Sequence, residues 1–89
     1  MSLLSENLRY LRTTKNLSQK ELADKLIVTR GRYAKYENST TQPPFEILES
    51  ISAYYRISID LLVSADLQRV PQEDINQVES IISKFRHRS

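Results

Sequence analysis

Leu4, Leu8 and Leu11 stand four and three residues apart with polar residues between them, which is one face of a helix running from about Ser2 or Ser5 to Lys15. The pattern then breaks and restarts twice. Ser18 followed by Glu21 is a capping box, in which the hydroxyl accepts from the Glu21 N–H and the carboxylate returns to the Ser18 N–H. Leu17 and Leu22 flank that start at the spacing of a hydrophobic staple. Thr29 is a second N-cap, with Val28 and Tyr33 in the same staple relation across it. The helix it opens turns Tyr33 and Tyr36 inward and leaves Arg30, Gly31, Arg32 and Lys35 on or beside its outer face. Beyond a polar stretch, Ser39 to Gln42, Pro44 sets a further start near N-cap or N1. Ile47, Leu48, Ile51 and Tyr55 supply the stripe of that helix. Ser58 opens a short fifth helix with Ile57 and Leu62 as its staple, and Leu61 and Val63 are expected to complete the core.

Two short helices with separate start signals, joined through Leu26, Ile27 and Val28, make a helix-turn-helix. A last apolar pattern follows: Ile75, Val78, Ile82 and Phe85 fall three, four and three apart, a narrow seam in the stretch from Pro71 to Arg88. Such a seam wants a partner, either the core of its own chain or a second copy, and pairing of two copies is the expectation. The division expected is residues 1–66 as the helix-turn-helix domain and 67–89 as an appended amphipathic helix.

With 89 residues the chain has room for one helical core and an appendage. It has no cysteine for a disulfide or thiolate site, and neither a leader nor an apolar run of membrane-spanning length, so a soluble, cytoplasmic protein is expected. A single glycine and no alternating apolar segment argue for an all-α fold. The net charge of +2 conceals a segregation of sign. From Arg9 to Lys35 eight basic residues face two acidic ones, whereas from Tyr36 to Ser83 eight acidic residues face two basic ones. A polyanion should dock on the helix-turn-helix half and be oriented by the acidic half before contact.

The motifs narrow the polyanion. Gln19-x-x-Leu22-Ala23 in the first helix of the pair, Tyr36-Glu37-Asn38 at the end of the second, NLRYLRTTKNLSQ upstream and PPFEILESISAYYRISIDLLV downstream together resemble the Cro/phage-repressor (Xre) family of transcription regulators over roughly Leu3 to Val63. The resemblance implies a five-helix lambda-repressor-like DNA-binding domain. It places Gln19 on a phosphate at a helix N-terminus, where free N–H groups and the positive dipole end agree with that role. Thr29 would cap the recognition helix and touch backbone. Arg30 and Lys35 fall on positions that reach base edges in the major groove, where both can donate to guanine O6 and N7. Arg32, Asn38, Thr40 and Thr41 are placed for phosphates. Arg12 and Glu37 match a family pair between the first helix and the recognition helix; both lie beside inward positions, so a partly buried, positioning ion pair is expected.

The chain departs from the pattern in four places. Ile27 stands where glycine usually turns the chain, so that turn is built differently or carries strain. Tyr33 replaces an aliphatic residue, and Ser39 replaces the glycine that usually ends the recognition helix. The only glycine, Gly31, sits inside that helix at a position that often reads bases, at a cost of about 1 kcal/mol against alanine. Either the backbone comes close to DNA there, which is the preferred expectation, or the position reads nothing.

The function expected is a sequence-specific DNA-binding regulator, repressor-like and homodimeric, placing Thr29 to Asn38 of each copy in the major groove of double-stranded DNA. The alternative is a protein-interaction module of the same fold, such as an antitoxin or accessory factor, kept open by Ile27, Gly31 and the tail. An enzyme is the poorest competitor: there is no cysteine, the one histidine, His87, lies in the tail, and no phosphate loop or metal-ligand cluster is present. No catalytic residue, metal, cofactor, small-molecule ligand or membrane is inferred.

Overall fold

The computed structural model describes residues 2–69 and contains five helices among them: α1 (Leu3–Thr14), α2 (Gln19–Leu26), α3 (Arg30–Glu37), α4 (Phe45–Tyr55) and α5 (Ile59–Ser64). It is an all-α, lambda-repressor-like arrangement. Ile75, Val78, Ile82 and Phe85, assigned to an additional helix and to pairing, lie outside the described residues.

Local chemistry starts each helix. Ser2, Ser18, Thr29 and Ser58 are N-caps whose hydroxyls accept from Ser5, Glu21, Arg32 and Leu61 N–H groups. The Ser18 and Glu21 capping box is closed in both directions, at 3.0 and 2.9 Å. Pro44 caps α4 without a side-chain bond, its missing N–H being of no consequence there.

The helix stops are less ordinary. Asn16, Ile27, Ser39 and Arg56 all take positive φ, between 57° and 60°, and none is glycine. At all four, N–H groups fold back on the last turn of the helix; after α2, Ile27 donates to the Asp24 carbonyl and Val28 to that of Ala23. The expected tension at Ile27 is therefore real: the β-branched residue adopts the left-handed conformation itself, and it is 90% exposed. At Ser39 the hydroxyl donates to Ser5 Oγ at 2.8 Å and accepts from the Ser2 N–H at 3.2 Å, bonds that offset the backbone cost and pin the end of α3 to the start of α1.

The core joins Leu8 and Leu11 of α1, Leu22, Ala23 and Leu26 of α2, Tyr33 and Tyr36 of α3, Ile51 and Tyr55 of α4, and Ile57, Leu62 and Leu67. Fully buried Ala23 permits the close approach of neighbouring backbone. α1 lies against both α3 and α5, and α2 against α3 and α4. Two expectations need correction. Val63 is exposed, because a helix of six residues turns only a narrow face inward and Leu62 occupies it. Leu67, assigned from the sequence to the tail, is fully buried in the core.

The polar residue Asn7 explains how the last segment is held. Its Nδ2 donates to the carbonyls of Leu62 and Ala65 at 2.8 and 2.7 Å, and its Oδ1 accepts from the Leu67 N–H at 3.1 Å. The amide thus satisfies carbonyls left free at the end of α5 and the backbone beyond it.

Candidate nucleic-acid interface

The inner side of α3 is fixed by burial. Tyr33, Tyr36 and Glu37 are at most 2% exposed, and the two rings meet edge to face with centroids 6.3 Å apart. Their periodicity leaves Arg30, Gly31, Arg32 and Lys35 exposed on the other side, with Asn38 at the C-cap and Thr40 and Thr41 exposed in the loop beyond. Thr29, exposed, caps the helix with its Oγ1 turned to the Arg32 N–H. Gln19 is half-buried at the first position of α2.

Gly31 has helical backbone rather than positive φ, and a Cβ built there meets nothing within 4 Å. Among the described residues, neither conformation nor packing demands glycine at that position.

Glu37, with no exposed surface, organises the helices behind this face. Arg12 Nε donates to its Oε2 at 2.7 Å and Nη2 to its Oε1 at 3.1 Å, while Nη1 of the same guanidinium donates to the Leu17 carbonyl at 2.8 Å. One side chain of α1 thereby ties the end of α3 to the segment entering α2. Gln19 Nε2 donates to Glu37 Oε1 at 3.2 Å, and Arg9 Nε approaches that same oxygen at 3.7 Å. Burial alone would raise the Glu37 carboxyl, but the bonds from Arg12 and Gln19 and the neighbouring Tyr33 hydroxyl outweigh it and hold the group below the ordinary carboxylate range. The Tyr33 phenol is pushed upward by burial and by Glu37; its hydroxyl, like those of Tyr36 and Tyr55, meets no partner at hydrogen-bonding geometry among the described residues.

The sequence reading brought Arg12 and Glu37 together but missed Arg9, which it counted only as surface charge, and the bond from Gln19. No local signal marks either, since both depend on how α1 and α2 cross α3. Asn7 did carry a signal: it interrupts the apolar stripe three residues after Leu4 and four before Leu11.

Residues 8–62 match the helix-turn-helix family model, a span that runs from α1 into α5 and includes Arg9, Arg12, Gln19 and Glu37. The chain belongs to the Xre-type helix-turn-helix family. This helix-turn-helix protein is 31% identical over 84 residues to the cryptic phage CTXphi transcriptional repressor RstR of Vibrio cholerae, covering 94% of this chain and 69% of that protein. It is 40% identical over 62 residues to the HTH-type transcriptional activator BcrR of Enterococcus faecalis, covering 70% of this chain; the chain spans only 30% of that protein's length. A transcriptional regulator from Listeria innocua has the same fold, with a TM-score of 0.66 at 24% identity over 91% of this chain and 90% of that one. No helix among the described residues of this chain is long and apolar enough to cross a membrane.

Proposed function

We propose that this regulator reads operator DNA with α3 in the major groove, one recognition helix from each of two copies on a two-fold site, and acts as a repressor. Arg30 and Lys35 donate to base edges, and the backbone at Gly31 approaches the groove closely. Gln19, Thr29, Arg32, Asn38, Thr40 and Thr41 hold phosphates on either side. The observation that carries the reading is the open space around Gly31: a residue that weakens its own helix, on the outer face, with no cause among the described residues.

Gly31→Ala separates the two possible causes. It should stabilise the folded chain by about 0.5–1 kcal/mol, since the helix gains propensity and nothing resists the added methyl. If the glycine serves close approach, the same variant binds its selected operator more weakly although it is more stable. Thermal unfolding and binding titrations measure the two effects, and unchanged affinity would remove the close-approach role.

Selection of bound sequences from random duplexes, read for a palindrome, supplies the operator for the second test. Arg30→Ala and Lys35→Ala should each cost about 1–3 kcal/mol on the preferred sequence, lose less on mismatched sequences and relax one or two positions per half-site. Asn38→Ala should weaken preferred and random DNA by similar factors. Equal loss on every sequence for all three variants would reduce α3 to an electrostatic footing.

A second reading, a protein-interaction module, is favoured by one feature. Ile27 is strained and 90% exposed, and with Asp24, Val28, Thr29 and Arg32 it lines a shallow hollow beside the turn. Duplex binding that is flat in salt would favour this reading, because phosphate contacts release counterions.

A further inference from the structure

The charges around Glu37 do not cancel. Arg9 and Arg12 both approach its single carboxylate, and they differ in what they have left to give. Arg12, with its side chain 15% exposed, has its Nε, Nη1 and Nη2 all engaged by Glu37 and the Leu17 carbonyl. The Arg9 side chain is 49% exposed, stands beyond hydrogen-bonding distance from Glu37 and has no hydrogen-bonded acceptor among the described residues. The excess positive charge of the cluster therefore resides on Arg9, whose guanidinium offers a fork suited to phosphate oxygens.

Its location is defined by the atom it shares. Glu37 Oε1 is approached by Arg9 Nε and accepts from Gln19 Nε2, so the two side chains flank one buried oxygen. Gln19 opens α2, where free backbone N–H groups and the dipole favour an anion. Glu37, itself unable to meet solvent, fixes Gln19 and draws in the near end of Arg9 while leaving the far end available.

We propose that Arg9 and Gln19 form one phosphate clamp, in which a single DNA backbone phosphate per subunit is held between the Arg9 guanidinium and the Gln19 amide, both set by Glu37. This rests on the base-reading proposal above and adds a phosphate contact from α1. Glu37 is then a positioning residue for backbone contact as well as a structural anchor.

The test uses the full chain and its selected duplex. Arg9→Ala should reduce the slope of log K against log salt by about 0.9 per subunit, and lower affinity by roughly eightfold near 0.1 M salt, the counterion term for one phosphate. Preferred and random sequences should suffer alike, whereas Arg9→Lys should keep the slope. Single neutral methylphosphonate substitutions along each strand then locate the contact. One phosphate per half-site should lose affinity with the wild-type chain, and at that phosphate the further losses from Arg9→Ala and from Gln19→Ala should both vanish. An unchanged salt slope in Arg9→Ala accompanied by a lower melting temperature would overturn the clamp, leaving Arg9 as a prop for Glu37. Losses from Arg9→Ala that add to methylphosphonate substitution at every phosphate would overturn it also. The base contrast of Arg30 and Lys35 would survive both results; failure of the wild-type chain to bind any duplex would overturn the two proposals together.

Discussion

Arg12→Ala should destabilise the fold by about 3–5 kcal/mol, the cost of leaving a buried charge without its partner. Glu37 has no exposed surface, so water cannot replace the two bonds it loses, and the Leu17 carbonyl loses its donor in the same stroke. Arg9 cannot take over without moving, because its Nε is 3.7 Å away and its side chain is half in solvent. Against the total stability of a small domain, on the order of 5–15 kcal/mol, the loss is large enough to populate unfolded chains at ambient temperature. Replacing both partners, as Arg12→Met with Glu37→Leu, should cost much less than the two single changes added together. Urea unfolding of the four proteins in the cycle measures the coupling, and simple additivity would show that the geometry contributes no pairing energy. The pair also sets an acid limb. Glu37 is held below its ordinary value, so the stability it contributes is complete above about pH 4.5 and drains away as pH falls through the folded-state value. The double replacement should flatten that limb.

Asn7→Ala should cost about 2–4 kcal/mol, a loss spread over three backbone groups rather than one charge. Removing the amide strands the Leu62 and Ala65 carbonyls and the Leu67 N–H around a residue only 1% exposed. Some of these groups can reach water once the segment loosens, which keeps the expected loss below a full penalty for each. Asn7→Asp is the sharper variant. It retains an acceptor for Leu67 but loses both donors and places a carboxylate against two carbonyl oxygens, so it should be less stable than the alanine variant at neutral pH and recover on acidification. Amide hydrogen exchange at Leu67 reports the same event locally. A protected Leu67 amide in Asn7→Ala would mean that the buried leucine side chain, rather than the amide, holds the segment.

What the sequence made legible was what neighbouring residues decide. Ser18, Thr29 and Ser58 bond to N–H groups three residues away, so their helices could be read from a short window. Ile27 shows the intermediate case: the conflict between a β-branched side chain and a left-handed turn was visible, but its resolution, with the residue strained and turned out to solvent, depends on where α2 and α3 must meet. Val63 was misplaced because the period of so short a helix does not identify its inner face. Leu67 follows α5 without any periodic pattern of its own, and the residue that meets its backbone in the core is Asn7, far away in sequence. In the candidate site, Arg12 and Glu37 were legible from the family pattern and their inward neighbours. The convergence of Gln19 and Arg9 on one carboxylate oxygen was not, since it is a product of helix crossing and leaves no mark on spacing.

The clasp at Asn7 also imposes an order of events while the chain is being made. Arg12 meets Glu37 across 25 residues, whereas Asn7 meets its partners across 55, 58 and 60. Closing the longer loop costs less than about 1 kcal/mol more in entropy, so the delay is one of availability rather than of thermodynamic difficulty. A growing chain that has released Glu37 possesses every residue needed to join the recognition helix to α1, yet its Asn7 amide has nothing to bind until Leu62 has emerged and lacks its last partner until Leu67 follows. The reading surface is encoded first and locked last, and a nascent chain stopped between those two points carries the parts for recognition without the bolt that secures them.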